Sequence, residues 1–260
     1  MPLTNDQLLE RVNSGGTIET REEMTPEYFD NLLNLMTMQA DSELAGAYGY
    51  VPWSAKAPTV EEKVIVAQIV KDEFRHAAVM YRLLKELGID VDEHVRQHDY
   101  SMRVADPDAQ MGAERAADDK RVNIFYYTID NWEDFVMFNF LMDRGAGHQL
   151  TDALECSYGP WRRAITGIFK EEMMHVNHGD TWVERLAKDP ATHDAVQASF
   201  DKWYPRTIAI FGRAKTKRNA LYCTLGLKKR DNGEVRQAWI DEVVPMAKAW
   251  GLTIPEVALD

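Results

Sequence analysis

The chain has 260 residues, and its 42 acidic and 30 basic side chains give a formal net charge of −12. A protein with this much negative charge binds nucleic acid and anionic membranes poorly unless it recognises them specifically. Neither is expected as a partner. Two cysteines cannot build a disulfide framework or a four-thiolate metal site. The polar first residues contain no hydrophobic signal core, and no run approaches the ~18 apolar residues of a membrane helix. We therefore expect a cytoplasmic protein.

Apolar residues recur at helical spacing along almost the whole chain, and alternating strand-like runs are nearly absent. Four long helices are predicted, at about residues 26–47, 60–87, 131–155 and 161–188. Capping residues support their ends, namely Thr25, Thr59 and Asp130 before helices and Gly88 after one. Four long helices joined by longer connections are typical of a bundle.

The remaining chain is predicted to be irregular or to form shorter helices. Residues 90–121 are polar and lack a clear period, so we predict a long crossover with a short helix of its own. Its two histidines, His94 and His98, are expected to be exposed to solvent. Shorter helices are predicted at about 194–211, kinked at Pro205, and 234–250, interrupted near Pro245.

These elements predict an all-α fold of one domain that spans residues 1–260. Its four-helix core bundle would cover about residues 26–188, with additional C-terminal helices at about 191–260.

The sequence Glu-x-x-His occurs twice, each time in the middle of a long predicted helix. Glu73 and His76 lie on the second helix, and Glu172 and His175 lie on the fourth. Residues at i and i+3 share a helix face, and both pairs continue an apolar stripe, so both are predicted to point into the core. An ionised carboxylate in a core is costly unless it is paired or metal-bound, so the two pairs predict a buried cationic centre. The competing interpretation is two ordinary surface motifs.

A dimetal carboxylate centre in a four-helix bundle also takes one carboxylate from each of the other two helices. Glu43 and Asp143 continue the apolar stripes of the first and third helices. Both are predicted to bind metal and to be able to relay protons. Other acidic residues of these helices compete but fall off the stripes or near helix ends: Asp41, Glu133, Asp134 and Asp152. Six ligands without a thiolate suit two iron ions, and manganese is compatible with the same donors.

Three charged neighbours could support these ligands. A metal-bound imidazole usually donates its other N–H to a carboxylate, and Asp72 and Glu171 directly precede the two proposed glutamate ligands. Arg75 could neutralise part of the carboxylate cluster. For all three residues a position on a solvated face is an equal alternative.

Short motifs follow one another in a fixed order along most of the chain: Ser42-Glu43, Asp72–His76, Trp132-x-Asp134, Ser157–Pro160, Lys170–His175, Trp203–Pro205 and Val244-Pro245. With them the sequence resembles the catalytic subunit family of phenylacetyl-CoA epoxidase and, more distantly, benzoyl-CoA epoxidase. The resemblance implies a ferritin-like fold and a di-iron centre that activates O₂. By that resemblance the iron ligands would be Glu43, Glu73, His76, Asp143, Glu172 and His175.

The resemblance also implies a reaction and partners. The reaction would be epoxidation of an aromatic acyl-CoA, with electrons from NAD(P)H delivered by a separate reductase. A ferritin-like sister subunit or a homodimer is an expected assembly. The chain ends soon after Val244-Pro245, and its connection at residues 90–121 looks longer than in that family. Another acyl-CoA or a non-CoA substrate is therefore an alternative.

Positive charge gathers in residues 202–230, which contain nine Lys or Arg and no Asp or Glu. Lys and Arg bind phosphates through charge-assisted hydrogen bonds. We therefore predict that five of these side chains contact a CoA substrate: Lys215, Lys217, Arg218, Lys228 and Lys229. The alternative is a solvated basic loop or a surface for an acidic partner. No dinucleotide or phosphate-loop motif is present in the sequence, so no intrinsic NAD(P)H or flavin site is expected.

The leading hypothesis is a di-iron monooxygenase that epoxidises an aromatic acyl-CoA. A di-iron oxidase, N-oxygenase or peroxidase with a non-CoA substrate is one alternative. A non-catalytic, iron-binding ferritin-like subunit is another, and the intact set of six predicted ligands argues against it.

Overall fold

A computed structural model describes residues 3–102 and 120–259. These residues contain no strand, only an isolated bridge between Ile18 and Tyr158, so the predicted all-α class is confirmed. No helix within the described ranges is long and apolar enough to cross a membrane. The chain divides into two compact units, Met1–Ile129 with Tyr158–Ala164, and Asp130–Ser157 with Ile165–Asp260. The single domain over 1–260 with a core bundle at 26–188 stays a prediction.

The described helices of the first unit are α1 (Asn5–Asn13), α2 (Pro26–Tyr50), α3 (Trp53–Lys56), α4 (Val60–Glu86) and α5 (Val91–Arg96). Those that follow are α6 (Trp132–Phe138), α7 (Arg144–Ala153), α8 (Gly159–Lys188), α9 (His193–Ile210), α10 (Lys217–Thr224) and α11 (Asn232–Ala249). A π-helical segment, Asn139–Asp143, joins α6 to α7. Helix α8 belongs to the first unit up to Ala164 and to the second unit from Ile165 onward.

Helices α2 and α4 pack along each other in the first unit, and their ends confirm the predicted caps. The Thr25 hydroxyl accepts from the Tyr28 N–H, and the Thr59 hydroxyl accepts from the Glu62 N–H. Gly88 adopts φ +89°, and its N–H donates to the Lys85 carbonyl. This left-handed glycine ends α4 as in a Schellman motif.

The predicted short helix within residues 90–121 is α5, while residues 103–119 lie outside the described ranges. The expected solvent exposure of His94 and His98 is wrong, because both residues are half-buried. His94 Nε2 lies 2.9 Å from Oδ1 of the buried Asp41 on α2, which also accepts from the Tyr81 hydroxyl at 2.8 Å. The sequence does not reveal this contact because its partner is 53 residues away.

Helix α6 begins one residue later than predicted. Asn131, not Asp130, is the N-cap, because the Asn131 side-chain oxygen accepts from the Asp134 N–H at 2.8 Å. The Asp134 carboxylate accepts in return from the Asp130 N–H at 3.1 Å.

The π-helical segment corrects the prediction of one uninterrupted helix over residues 131–155. Two of its carbonyls accept side-chain donors from within the second unit. Arg144 Nη1 donates to the Phe140 carbonyl at 2.5 Å, and Trp239 Nε1 donates to the Leu141 carbonyl at 3.0 Å. A π turn changes which carbonyls are paired inside the helix, and such side-chain donors stabilise the altered register.

Helices α9 and α11 both contain an internal proline, Pro205 and Pro245. The predicted interruption near Pro245 is wrong, since α11 continues to Ala249. Proline removes one backbone hydrogen bond, but the buried Val243 and Ala247 on either side of it anchor the helix through packing.

Candidate functional site

The first half-site consists of Glu43 on α2 and Glu73 and His76 on α4. Glu73 and His76 are buried, as their place on the apolar stripe predicts, and Glu43 is half-buried. One potential ligand atom from each lies within 4.8 Å of those from the other two. His76 Nδ1 and Glu43 Oε2 are 3.6 Å apart. Three donors, two of them anionic, therefore converge on one point of the first unit.

The proposed second half-site takes Asp143 from the end of the π-helical segment and Glu172 and His175 from α8. All three residues are buried, which again agrees with the predicted stripe. His175 Nδ1 lies 3.5 Å from Glu172 Oε2. The second unit thus repeats the donor types of the first: two carboxylates and one imidazole.

The first half-site fits a divalent transition metal, and the Glu172–His175 pair of the second has a compatible spacing. Two donors that each lie about 2.1 Å from one cation are about 3.0 Å apart at a right angle and about 3.4 Å apart at the tetrahedral angle. The two imidazole–carboxylate separations are only slightly longer. Imidazole with carboxylates and no thiolate suits iron or manganese. A divalent cation would offset the cost of burying these carboxylates.

Gly46 leaves the space that the Glu73 carboxylate occupies. A Cβ at position 46 would lie 3.2 Å from Glu73 Oε2 and 3.2 Å from Phe125 Cε1. These separations are shorter than ordinary van der Waals contact, so a side chain here would press on a proposed ligand. The absence of a side chain at position 46 therefore helps the Glu73 carboxylate to occupy its position in the first half-site.

Two amide residues that the sequence analysis did not single out contact proposed ligands. Gln39 Nε2 donates to Glu43 Oε1 at 3.0 Å, and Asn139 Nδ2 donates to Asp143 Oδ2 at 2.8 Å. Each amide precedes its carboxylate by four residues, one helical turn. That spacing is visible in the sequence and could have identified them.

Three of the four competing acidic residues are buried, although their positions suggested otherwise. Each has strong partners of its own. Asp41 accepts from Tyr81; Asp134 accepts from Ser199, Lys202 and Trp203; Asp152 accepts from Arg230. Burial alone therefore does not identify a ligand, because protein donors already satisfy these three carboxylates.

The three predicted supporting residues differ in their surroundings. Asp72 is buried and accepts from Gln68 Nε2 at 2.8 Å. Glu171 is half-buried, whereas Arg75 is exposed, which favours the solvated alternative for the arginine. Their role beside the metal ligands stays a prediction.

The five basic side chains predicted to bind substrate differ in their surroundings: some are exposed to solvent, and others contact neighbouring side chains. Lys215, Lys217 and Arg218 are exposed around the start of α10. Lys229 is also exposed, and its Nζ lies 3.8 Å from Glu155. Lys228 Nζ donates to Asn232 Oδ1 at 2.8 Å, and burial lowers the pKa of this ammonium group. The most accessible positive charge is therefore at the start of α10, although the assignment of all five residues to a substrate stays a prediction.

A cluster around Arg144 supports the segment that carries Asp143. Arg144 Nη2 donates to both Asp180 oxygens at 2.7 Å, and its Nε donates to Glu242 Oε1 at 2.8 Å. His148 Nε2 lies 2.8 Å from Glu242 Oε2. Hydrogen bonds from His148 and Arg144 lower the pKa of the Glu242 carboxyl to about 2. This charged network holds Arg144 where it can donate to the π-helical segment.

Comparison with curated proteins identifies two similar chains. The sequence is 27% identical over 258 residues to one of the subunits of 1,2-phenylacetyl-CoA epoxidase from Escherichia coli (strain K12), covering 98% of this chain and 78% of that protein. It is 24% identical over 234 residues to benzoyl-CoA oxygenase component B from Aromatoleum evansii. That match covers 80% of this chain and 46% of the relative.

The fold also matches a solved structure, protein 19 with aldehyde deformylating oxidase activity from Synechococcus. The TM-score is 0.51 at 13% sequence identity, over 88% of this chain and 93% of the other. This likeness concerns the fold alone, and it confirms the predicted ferritin-like helical class. A family model described as phenylacetic acid catabolic protein matches residues 6–259. The chain therefore belongs to the phenylacetic acid catabolic protein family.

Proposed function

We propose that the chain is the catalytic subunit of an O₂-dependent di-iron oxygenase that epoxidises an aromatic acyl-CoA. The observation that carries this proposal is the repetition of one donor set, two carboxylates and an imidazole, in each unit of the chain, with all of these residues buried except the half-buried Glu43. An iron-binding oxygenase needs such donors, and a purely structural helical protein does not. The names of the curated relatives, an oxygenase component and an epoxidase subunit, support the reaction class.

In this proposal the six residues of the two half-sites hold two iron ions, and manganese is compatible with the same donors. The bound metal would supply activation of O₂ for transfer of one oxygen atom to the ring. The buried Ile69, Met80 and Ile168 exclude water near the ligands, which protects a reactive oxidant. Glu43 is the one half-buried ligand among the six, so it is best placed to exchange a proton with solvent.

The proposed substrate is a CoA thioester whose phosphates bind near the start of α10. Exposed Lys215, Lys217 and Arg218 supply positive charge there, in a protein whose net charge is −12. Without a dinucleotide-binding motif in the sequence, reducing equivalents would come from a separate NAD(P)H-dependent reductase. The relatives are named as a component and a subunit, which supports a multi-component assembly. The further member in this proposal is a ferritin-like sister subunit or a second copy of this chain.

The first experiment measures iron per chain in protein produced with ample iron. We expect Glu73→Ala and His175→Ala to lower the iron content, because each removes a proposed ligand. The matched controls are Glu86→Ala on α4 and His193→Ala on α9, two side chains that are at least partly exposed. Both control variants should retain the iron content of the wild type. Wild-type protein without iron, or full iron in both ligand variants, would refute the metal centre.

The second experiment separates the catalytic hypotheses. O₂ consumption and product formation are measured with a reductase and a panel of aryl-CoA thioesters, free aryl acids and amines. Epoxide formed only from aryl-CoA supports the proposal. Oxidation of an amine or a free acid without CoA dependence indicates an N-oxygenase or oxidase, and iron without turnover indicates an iron-binding subunit.

The third experiment tests the CoA site through charge reversal. We expect Lys215→Glu/Lys217→Glu/Arg218→Glu to raise KM for the thioester more than it lowers kcat, because it removes contacts made equally in the ground state and the transition state. Lys85→Glu, an exposed lysine on α4, is the control. An unchanged KM in the triple variant would contradict a CoA site at the start of α10.

A further inference from the structure

Each unit contains the same three-part arrangement next to a proposed ligand. In the first unit, Trp161 Nε1 donates to Gln39 Oε1 at 2.9 Å, and Gln39 Nε2 donates to Glu43 Oε1 at 3.0 Å. Glu43 then presents its other oxygen, Oε2, toward His76 Nδ1 at 3.6 Å. One oxygen of the Glu43 carboxylate thus accepts a hydrogen bond from Gln39, and the other oxygen faces His76, a second proposed ligand.

In the second unit the arrangement uses different residue types. His178 Nδ1 lies 3.1 Å from Asn139 Oδ1, and Asn139 Nδ2 donates to Asp143 Oδ2 at 2.8 Å. His178, Asn139 and Asp143 are all buried, and the His178 ring lies edge-on to Trp132 and Phe135. Aromatic packing therefore fixes the ring that orients the amide.

Chemistry fixes the direction of both hydrogen-bond chains. An ionised carboxylate only accepts, so the amide N–H of Gln39 or Asn139 must face it. The amide oxygen then faces the ring nitrogen, which suits Trp161 because an indole N–H only donates. By the same reasoning His178 carries a proton on Nδ1. Turning either amide round would place its oxygen against a carboxylate oxygen, so each amide has one stable orientation.

We propose that Gln39 with Trp161 and Asn139 with His178 are two matched pairs of positioning residues, which make Glu43 and Asp143 one-oxygen metal ligands. The Gln39 amide donates to Glu43 Oε1, so that Oε2 would be the oxygen that binds the metal. The Asn139 amide donates to Asp143 Oδ2, so that Oδ1 would be the oxygen that binds the metal. This inference rests on the proposed metal centre. Groups that orient metal ligands in this way typically change metal affinity by about 10- to 100-fold when they are removed.

The test uses near-isosteric substitutions that remove only the amide. Gln39→Met and Asn139→Leu lose the hydrogen bond to the carboxylate while they keep most of the side-chain volume. Gln237→Met is the matched control, because Gln237 Nε2 donates to Asp241 Oδ1 at 2.8 Å with the same four-residue spacing on the exposed face of α11. Trp161→Phe and His178→Phe keep an aromatic ring but remove its N–H. Melting of each metal-free protein establishes that the variants fold.

The readouts are the rate at which a chelator removes iron and the Mössbauer spectrum of protein loaded with ⁵⁷Fe. We expect roughly 10- to 100-fold faster release of one iron ion in Gln39→Met and in Asn139→Leu, with the second ion retained. The altered Mössbauer component in Gln39→Met should match the site lost in His76→Ala, and that in Asn139→Leu should match the site lost in His175→Ala. The ring variants should shift release in the same direction by less, and Gln237→Met should behave as wild type.

Wild-type release rates and spectra in both folded amide variants would overturn the inference while leaving the metal centre intact, provided that His76→Ala and His175→Ala still lose iron. Faster release of both ions to the same extent, with no spectral change at either site, would also overturn it, since general loosening predicts that result. Wild-type protein that binds no iron would instead refute the proposed function.

Discussion

Gly179 on α8 lies against the backbone of the π-helical segment, and an alanine there tests how that segment is held. A Cβ at position 179 would lie 2.3 Å from the Phe140 nitrogen and 2.7 Å from the Asn139 carbonyl carbon. Real Cβ atoms essentially never approach backbone so closely, so Gly179→Ala must displace the segment by about 1 Å. No flexible side-chain end is available to yield instead.

The expected magnitude follows from two opposing effects. Overpacking a well-packed core costs about 1–3 kcal/mol, occasionally more, and a clash with backbone belongs at the upper end. Alanine in place of a helical glycine recovers about 1 kcal/mol of helix propensity. We therefore expect Gly179→Ala to lower the free energy of unfolding by about 2 kcal/mol, which corresponds to a thermal midpoint roughly 4–8 °C lower.

Gly167→Ala is the matched control on the same helix. Gly167 is exposed, and a Cβ there would meet no atom within 4 Å. The substitution should therefore stabilise the protein by about 0.5–1 kcal/mol. Denaturant unfolding and thermal melting of both variants measure the difference, which we expect to be about 3 kcal/mol.

Gly179→Ala should also change metal binding, because the displaced segment carries Asn139 and Asp143. Iron release by a chelator should accelerate for the ion of the second half-site, while Gly167→Ala retains wild-type release. Equal stability of the two alanine variants, or wild-type iron release in a destabilised Gly179→Ala, would refute the close-packing argument.

Two further predictions concern other positions. Gly46→Ala should weaken iron binding by about 10-fold, since its Cβ would lie 3.2 Å from Glu73 Oε2, whereas Gly147→Ala, with open space around it, should leave iron titrations unchanged. Glu242 has a pKa lowered from 4.5 to about 2, so the stability from its contact with His148 is full above pH 4.5 and is lost as the pH falls toward 2. The free energies of unfolding of wild type and Glu242→Gln should converge at low pH. Near neutrality they should differ by about 1 kcal/mol or less, because Glu242 is partly exposed. A difference that stays constant across this pH range would contradict the prediction.

Local signals in the sequence predict much of the fold. The Thr25 and Thr59 hydroxyls and the left-handed Gly88 all act over one helical turn, so the ends of α2 and α4 could be predicted closely. The two Glu-x-x-His pairs are equally local, and helical periodicity alone places them on buried faces. Both kinds of prediction depend only on neighbours three or four residues away.

The π-helical segment could not be predicted because burial hides the helical period there. Every residue from 134 to 145 is buried, so no polar face distinguishes an α turn from a π turn. One of the two donors that stabilise the altered register, Trp239, lies 98 residues from its acceptor Leu141. The continuity of α11 through Pro245 was mispredicted for a related reason, since a local rule was overridden by packing.

The competing carboxylates show why an acidic residue in the core is weak evidence for a metal. Asp41, Asp134 and Asp152 are as buried as the proposed ligands, but their donors are Tyr, Trp, Lys and Arg side chains from distant positions. The sequence set them aside because they fall off the apolar stripes or near helix ends, yet all three are buried. The criterion that does separate the two groups is the type of partner.

The two proposed half-sites have the same donor types but different side chains, since the second has Asp143 where the first has Glu43. Asp143 is one methylene shorter than Glu43, so its carboxylate extends about 1.5 Å less far from the backbone. In the second unit the backbone around Asn139 and Phe140 lies against Gly179 of α8, close enough to leave no room for a Cβ. This close approach of the backbone to α8, which carries the proposed ligands Glu172 and His175, suits the shorter side chain of Asp143. A small residue at position 179 and a short acidic side chain at position 143 are therefore consistent with one close approach of the two backbones.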